Sequence, residues 1–138
     1  IKNMPGSGEI KNLGNVAYEI LEPVRAKFEK PVMINSGFRC LELNRKIGSS
    51  DSSQHTKGMA VDFEIIGTPN IQVAYWIQNN CDFDQLILEF YKPDEDNAGW
   101  IHASYCDGNN RKQVLTFDGK SYSDGLPDME WKDGKVKS

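Results

Sequence analysis

Apolar residues recur every three or four positions over residues 9–29, which is the spacing of an amphipathic α-helix. Pro23 falls inside this stripe and predicts a kink or a break, because proline lacks an amide proton and its ring collides with the preceding turn. Residues 1–8, rich in glycine, proline and serine, are expected to be loose. The chain therefore begins with a helix that packs one face against the rest of the protein.

Short apolar runs, several of which alternate with polar residues, follow this helix and predict β-strands. They occupy residues 31–35, 59–65, 83–90, 100–105 and 111–117. Two further helices are predicted over 41–47 and 71–78, the second with Thr68 as its N-cap and Pro69 at its first helical position. The last strand, 111–117, is expected at an edge of the sheet.

The order of these elements predicts an α+β fold with a small, mostly antiparallel sheet and helices packed on one face. Residues 92–99 are polar and turn-prone, and should join two strands into a hairpin. We expect a single domain over residues 1–138, in which residues 1–8 and about 118–138 are peripheral. Trp131 is the large anchor expected in the second of these segments.

Charge and cysteine content narrow the classes of function. The net charge is −4, without a cluster of basic residues that could neutralise phosphates, and no apolar run approaches the ~20 residues of a membrane span. We expect a monomer with neither a nucleic-acid nor a membrane partner. Three cysteines, Cys40, Cys81 and Cys106, are too few for a disulfide framework and predict reduced thiols in a protein synthesised in the cytoplasm.

The chain has only two histidines, His55 and His102, and each lies beside or within a strand-like run. Asp62 follows His55 by seven residues, and the alternation of residues 59–65 places it on the face opposite Val61 and Phe63. Two imidazoles and a carboxylate are common zinc ligands, and three of them leave the fourth position for water, as in hydrolytic sites. An ordinary hydrogen-bonded His–Asp pair is the alternative interpretation.

Three sequence motifs carry a resemblance to a known family. Ser53-x-His-x-x-Gly-x-Ala-x-Asp62 resembles the zinc-binding motif of the M15 peptidases, which include D-alanyl-D-alanine carboxypeptidases and phage endolysins. The stretch 36–40, with Asn44 after it, resembles the Ser-Gly-Tyr-Arg-Ser stretch of that family, and residues 100–102 resemble the segment that supplies its last ligand. The resemblance runs in order from about residue 13 to about residue 105.

This resemblance implies one zinc ion per chain, held by His55, Asp62 and His102, in the fold shared by these peptidases and the hedgehog signalling domain. It also implies hydrolysis of the peptide part of peptidoglycan, by a D,D-carboxypeptidase or by an endopeptidase. Such an enzyme would be made in the cytoplasm and act on the cell wall, as a phage lysis enzyme or a bacterial remodelling enzyme. A zinc-containing binding module without catalysis, as in hedgehog proteins, is the alternative.

The general base is the open question, because many M15 members carry an acid three residues before the last histidine, where this chain has Gly99. Glu89 is our prediction, since the alternation of its strand places it opposite Leu86, Leu88 and Phe90 and on the side of His102. The alternatives are an acid of the loop, namely Asp94, Glu95 or Asp96. Glu89 could also be an exposed strand acid or a partner of a zinc histidine.

Four further residues are candidates for substrate binding. The resemblance implies that Arg39 contacts a carbonyl or carboxylate of the substrate, and a salt bridge to Glu42 is the structural alternative. Ser53 and Gln54 either hydrogen-bond near the metal or only shape the loop that carries His55. Trp100 either forms a wall of the cleft or fills the core.

Overall fold

The first helical segment runs from residue 7 to residue 28 and does not end at Pro23. It consists of α1 (Ser7–Val16), a π-helical turn (Ala17–Leu21) and α2 (Glu22–Phe28). Pro23 lies near the start of α2, directly after the π turn, so the regular α-helical pattern is interrupted just before the proline that was predicted to kink or break it. Val16, Ile20 and Val24 are fully buried along this segment.

The computed structural model describes residues 1–132 and 135–137, and from residue 130 onward it describes the backbone alone. Two further helices are α3 (Leu41–Lys46) and α4 (Asn70–Asn80). The strands are β1 (Val32–Ser36), β2 (Ala60–Ile65), β3 (Gln85–Glu89), β4 (Trp100–Ser104), β5 (Gln113–Phe117), β6 (Tyr122–Asp124), β7 (Glu130–Lys132) and β8 (Lys135–Lys137). Trp131, predicted as an anchor, lies outside the residues whose side chains are described.

Strands β1 to β6 form one open sheet in the order β1-β2-β4-β3-β5-β6. Neighbouring strands are antiparallel except for β3 and β5, which are parallel. The predicted α+β class is therefore confirmed. The expectation that residues 111–117 form an edge strand is wrong, because β6 pairs with β5 and becomes the edge itself. Strands β7 and β8 pair only with each other among the described residues.

The two faces of this sheet have different chemistry. One face carries Val61, Phe63, Leu86, Ile101 and Ala103, which pack with the buried residues of the first helical segment and of α4. Removal of these side chains from water is the main stabilising contribution to the fold. The helices cover this face, so the polar side chains of the same strands lie on the other face, which remains open.

Helix α4 also anchors the loop that joins β3 to β4. The buried side chain of Asn70 donates hydrogen bonds from Nδ2 to the carbonyls of Ala98 and Gly99, both at 3.1 Å. The N-cap residue of α4 is Pro69 rather than Thr68, one position later than predicted. The Thr68 hydroxyl instead accepts a hydrogen bond from Lys30 Nζ at 3.1 Å. Among the described residues, no helix is long and apolar enough to span a bilayer.

Candidate metal site and active-site cleft

Strand pairing brings Asp62 and His102 together although forty residues separate them in the sequence. Asp62 on β2 lies directly opposite His102 on β4, and His102 lies opposite Ile87 on β3. Directly opposed residues of antiparallel strands point to the same face of a sheet. Both side chains therefore stand side by side on the open face, as the alternation of the two strands predicted.

His55 reaches the same place from a short 3₁₀ turn (Gln54–Lys57) that precedes β2. Ser53 caps this turn, since its Oγ accepts a hydrogen bond from the His55 amide at 3.3 Å. Gly58 ends the turn with a φ of +71°, and a Cβ at this position would overlap the carbonyl of Glu9 on α1. Only glycine suits both conditions. The glycine of the motif thus allows α1 to pack closely against the turn.

Three potential ligand atoms converge at this point. His55 Nε2 lies 3.3 Å and His102 Nδ1 lies 2.9 Å from Asp62 Oδ1, and all three atoms lie within 4.8 Å of one another. The side chains are 4%, 12% and 14% exposed for His55, His102 and Asp62. Burial alone would raise the pKa of Asp62, but hydrogen bonds and charge from the two histidines hold it well below its usual value. Asp62 is therefore ionised, as a metal ligand must be.

The hydrogen bonds around the histidines fit a cation at this position. Nδ1 of His55 lies 2.8 Å from the carbonyl of Gly37 and must carry its proton to donate there. With that proton on Nδ1, Nε2 of His55 can offer its lone pair to a cation held beside Asp62 Oδ1, which lies 3.3 Å away. Two imidazole nitrogens and one carboxylate oxygen are a donor set suited to zinc.

Glu89 lies on the same face, one row of residues away from His102. It stands opposite Trp100 on β4 and beside Phe117 on β5, and it lines the cleft together with Asp62 and His102. Burial raises the pKa of Glu89 to about 7, the charge of Asp62 adds to the rise, and His55 opposes it. A carboxyl group with a pKa near neutrality can both accept and return a proton at physiological pH.

The loop between β3 and β4 explains why position 99 holds no acid. Gly99 has a φ of +70°, and a Cβ there would overlap the carbonyl oxygen of Glu89 on the neighbouring strand. A residue with a side chain is therefore excluded at position 99, both by the positive φ and by the lack of space beside Glu89. The loop acids Asp94, Glu95 and Asp96 do not line the cleft. Of the predicted bases, the structure brings Glu89 to the candidate metal site.

Arg39 lines the cleft and forms no salt bridge with Glu42. Its Nε donates to Asn44 Oδ1 at 3.1 Å and its Nη1 donates to Ser36 Oγ at 3.3 Å. Burial lowers the pKa of Arg39 and the charge of Asp62 opposes this. Among the described residues, no carboxylate lies within ion-pair distance of it, whereas the other three arginines each have an acidic partner at 2.8 Å: Arg25 with Glu22, Arg45 with Asp51, and Arg111 with Asp84.

Asn44 and Asp84 are two buried polar residues whose roles the sequence did not reveal. Asn44, which is fully buried, accepts a hydrogen bond from Arg39 and also donates one to the carbonyl of Ser50 at 2.6 Å.

Asp84 accepts a hydrogen bond from Gln54 Nε2 at 2.8 Å, and its hydrogen bonds from Arg111 are the main reason that its pKa falls to about 2. The sign in the sequence that Asp84 could be buried is its position directly after the apolar residue Phe83. Gln54 thus ties the turn that carries His55 to the sheet.

The cleft over the open face has a volume of about 610 Å³. Ser53, Gln54 and Trp100 line it, as does Tyr122 from β6. Tyr122 comes from the segment that was expected to be peripheral, and the pairing of β6 with β5 carries it to the cleft. Trp100 packs against Phe90 with ring centroids 5.0 Å apart and forms a wall of the cleft rather than part of the main core.

The segments that carry these candidate residues also match a known protein family. A family model described as Peptidase M15 matches residues 7–103, a range that contains His55, Asp62, Glu89 and His102. No curated protein matches the chain.

Proposed function

Because the chain belongs to the M15 peptidase family, we propose that it is a zinc-dependent peptidase that hydrolyses a peptide bond in the stem peptides of peptidoglycan. The convergence of His55 Nε2, Asp62 Oδ1 and His102 Nδ1 beside Glu89 carries this proposal. The product is either a stem shortened by a D,D-carboxypeptidase or one cut by an endopeptidase. The protein is made in the cytoplasm and acts on the cell wall, either as a phage-encoded lysis enzyme or as an exported bacterial enzyme.

The proposed cofactor is one zinc ion held by these three side chains. When bound, zinc supplies a Lewis acid for the scissile carbonyl and lowers the pKa of a bound water. Contacts within the protein orient the ligands: the carbonyl of Gly37 fixes His55 through Nδ1, and β-sheet pairing sets His102 against Asp62. Ligands fixed in this way lose little conformational entropy on binding.

Glu89 is the proposed proton acceptor in this reaction. Its carboxylate takes a proton from the attacking water and returns it to the leaving amine. Its neighbours in the sheet are Trp100 and Phe117, and the side chain is partly buried. Gly99 therefore does not indicate loss of catalysis, since another strand supplies the carboxyl group.

Arg39 is the proposed contact for a carbonyl or carboxylate of the substrate. Its hydrogen bonds to Asn44 and Ser36 leave a charge without a direct acidic partner in the cleft. A guanidinium oriented by two neutral acceptors suits bidentate recognition of an anionic or carbonyl group. Ser53 and Gln54 support the turn that carries His55, and Trp100 walls the cleft on the side of Glu89.

Digestion of a defined peptidoglycan tests this function. Muramidase-solubilised peptidoglycan is incubated with the zinc-loaded protein, and released fragments are identified by mass spectrometry. We expect new amino termini at one kind of peptide bond, and no release by the chelator-treated protein or by His102→Ala. Stoichiometric zinc binding without hydrolysis would instead establish a binding module, and hydrolysis by the chelated protein would refute the role of the metal.

A further inference from the structure

Four aromatic rings form a continuous row beside the cleft, which two of them line, and we term this row the aromatic shelf. Its members are Trp100, Phe90, Phe117 and Tyr122. Ring centroids are 5.0 Å apart between Phe90 and Trp100, 5.0 Å between Phe90 and Phe117, and 4.5 Å between Phe117 and Tyr122. Tyr122 is 58% exposed and Phe90 is 41% exposed. The shelf extends from the strand of His102 to the β6 edge of the sheet.

Strand register places this shelf in line with the proposed catalytic carboxylate. Trp100, Glu89, Phe117 and Tyr122 are direct neighbours across β4, β3, β5 and β6, and so they stand on the same face. Adjacent strands lie ~4.8 Å apart, so the two steps from β3 to β6 amount to ~10 Å. That distance is the length of about three extended residues of a peptide.

The two ends of the cleft differ in charge. On the β1 side lies Arg39, the guanidinium without a direct acidic partner. On the β6 side the shelf presents aromatic rings, and the nearest charged group in its row is Glu89. Acidic groups of a peptide are therefore favoured near Arg39, while a neutral group with flat apolar faces is favoured on the shelf.

Two features of the shelf are unexplained by packing alone. A cross-strand aromatic pair stabilises a hairpin, but Phe117 supplies that contact to Tyr122 and leaves more than half of Tyr122 in water. Phe90 adopts a φ of +53°, which is strained for a bulky residue, and its ring lies between those of Trp100 and Phe117. Backbone strain and exposed aromatic surface beside a cleft are typical of binding sites.

We propose that the aromatic shelf is a saccharide subsite that holds a neutral N-acetylated amino sugar of the glycan strand while the attached stem peptide crosses the metal site. This rests on the proposed function, because in peptidoglycan such a sugar is linked to the stem peptide that the enzyme would cut. The apolar C–H face of a pyranose ring packs on exposed aromatic rings, and its N-acetyl group needs no charged partner. The sugar reaches the shelf when it lies within about three residues of the scissile bond.

The first experiment compares two substrates that share one peptide. One is a stem peptide attached to its disaccharide, and the other is the same peptide without the sugar. Tyr122→Leu removes the flat ring but keeps an apolar side chain, Tyr122→Phe keeps the ring, and Tyr18→Leu changes a tyrosine that is 75% exposed on the π turn, away from the cleft. Melting temperatures establish that each variant is folded.

We expect Tyr122→Leu to lower kcat/KM about five- to tenfold for the sugar-bearing substrate and less than twofold for the free peptide. Tyr122→Phe and Tyr18→Leu should match the wild type on both substrates. Equal losses on both substrates would show that the shelf holds peptide and would overturn the proposal. Unchanged kinetics of Tyr122→Leu on the sugar-bearing substrate would also overturn it.

The second experiment uses no hydrolysis, so it separates this proposal from the proposed function. A soluble oligomer of N-acetylglucosamine is titrated into the zinc-loaded protein and followed by NMR. We expect the aromatic resonances of Tyr122 and Phe117 to shift. In Tyr122→Leu, the shift of the Phe117 resonances should be absent. Sugar binding without cleavage of either substrate would refute the peptidase but retain the subsite. Cleavage of both substrates without sugar binding would retain the peptidase and refute the subsite.

Discussion

The carboxylate of Glu89 lies between two aromatic neighbours, Trp100 on β4 and Phe117 on β5. This surrounding raises the pKa of Glu89, because partial burial disfavours the ionised form of its carboxyl group. The acid position of other family members is closed to any side chain at Gly99. Strand pairing, rather than a short spacing in the sequence, brings the acid Glu89 to the candidate metal site.

Glu89→Gln keeps the shape of the side chain and removes the base. We expect kcat to fall by ~10²–10⁴ while zinc remains bound and the melting temperature stays near that of the wild type. The measurement is peptide release at saturating substrate, with zinc content determined on the same samples. Glu95→Gln, in the loop and paired with Lys92 at 3.9 Å, is the matched control and should retain activity. Near wild-type turnover by Glu89→Gln would place the base elsewhere.

Glu89 also makes the stability of the metal-free protein depend on pH. Its pKa in the folded protein, about 7, lies above the ordinary value of 4.5, so between these pH values the folded state holds a proton that the unfolded state has lost. Its contribution to the free energy of unfolding is therefore present at low pH and is lost as pH rises through 7. After allowance for partial exposure, this loss is ~1–2 kcal/mol.

Urea denaturation of metal-free wild type and Glu89→Gln at pH 5 and pH 8 measures this effect. The variant cannot titrate at this position. The free energy of unfolding of the variant minus that of the wild type should therefore be ~1–2 kcal/mol larger at pH 8 than at pH 5. A difference between the two proteins that does not change with pH would contradict the burial of the Glu89 carboxyl group.

Arg39→Lys tests whether this guanidinium serves the substrate or the fold. Lysine keeps the charge but cannot bind bidentately or hold both Asn44 and Ser36, so we expect kcat/KM to fall about tenfold with a melting temperature within a few degrees of the wild type. Arg45→Lys is the control, because Arg45 pairs with exposed Asp51 and does not line the cleft. A large fall in melting temperature with unchanged kcat/KM would show a structural role.

At the scale of elements, the β3–β4 hairpin positions both Glu89 and His102. Where this loop enters β4, it is held by hydrogen bonds from Asn70 on α4 to the carbonyls of Ala98 and Gly99. At the same point, Gly99 packs against the backbone of Glu89. Any change that separates these two strands should therefore disturb the base and a metal ligand together.

Gly99→Ala introduces a Cβ that overlaps the Glu89 carbonyl at a residue with a positive φ. We expect the free energy of unfolding to fall by ~3 kcal/mol or more, measured by urea denaturation. Gly108→Ala is the matched control, because Gly108 has a φ of +77° but open space around it, and conformational strain alone should cost ~1 kcal/mol. Similar losses in the two variants would contradict the steric explanation.

At the scale of the whole molecule, the three candidate ligands join the 3₁₀ turn to two strands of the sheet. A ligand that binds only the folded state stabilises it by mass action. Zinc at about a thousandfold above its Kd should therefore add ~4 kcal/mol to the free energy of unfolding and raise the melting temperature by ~10–20 °C.

Differential scanning calorimetry with and without a chelator checks this expectation, and elemental analysis should find one zinc per chain. His102→Ala and His55→Ala should abolish both the bound zinc and the zinc-dependent shift. Cys106→Ser should keep both, because this cleft thiol is not part of the ligand set. Stoichiometric zinc that survives both histidine changes would refute the assignment.

The amino-acid sequence by itself determined most of the fold class and the family. Periodicity of two and of 3.6 is a local property, so it predicted the strands, the helices and the faces on which Asp62, Glu89 and His102 stand. The motif around His55 indicated the ligands for the same reason, since its turn and strand are built from neighbouring residues. Chemistry that depends on residue type and local spacing can be predicted from sequence.

Only the tertiary structure decided which strands are neighbours. The parallel pairing of β3 with β5 and the addition of β6 at the edge join residues far apart in the chain, and their register depends on side-chain packing between distant segments. That pairing placed Tyr122 in the cleft and Phe117 beside Glu89. The same long-range packing buried Glu89 enough to raise its pKa, and closed position 99 to every residue except glycine.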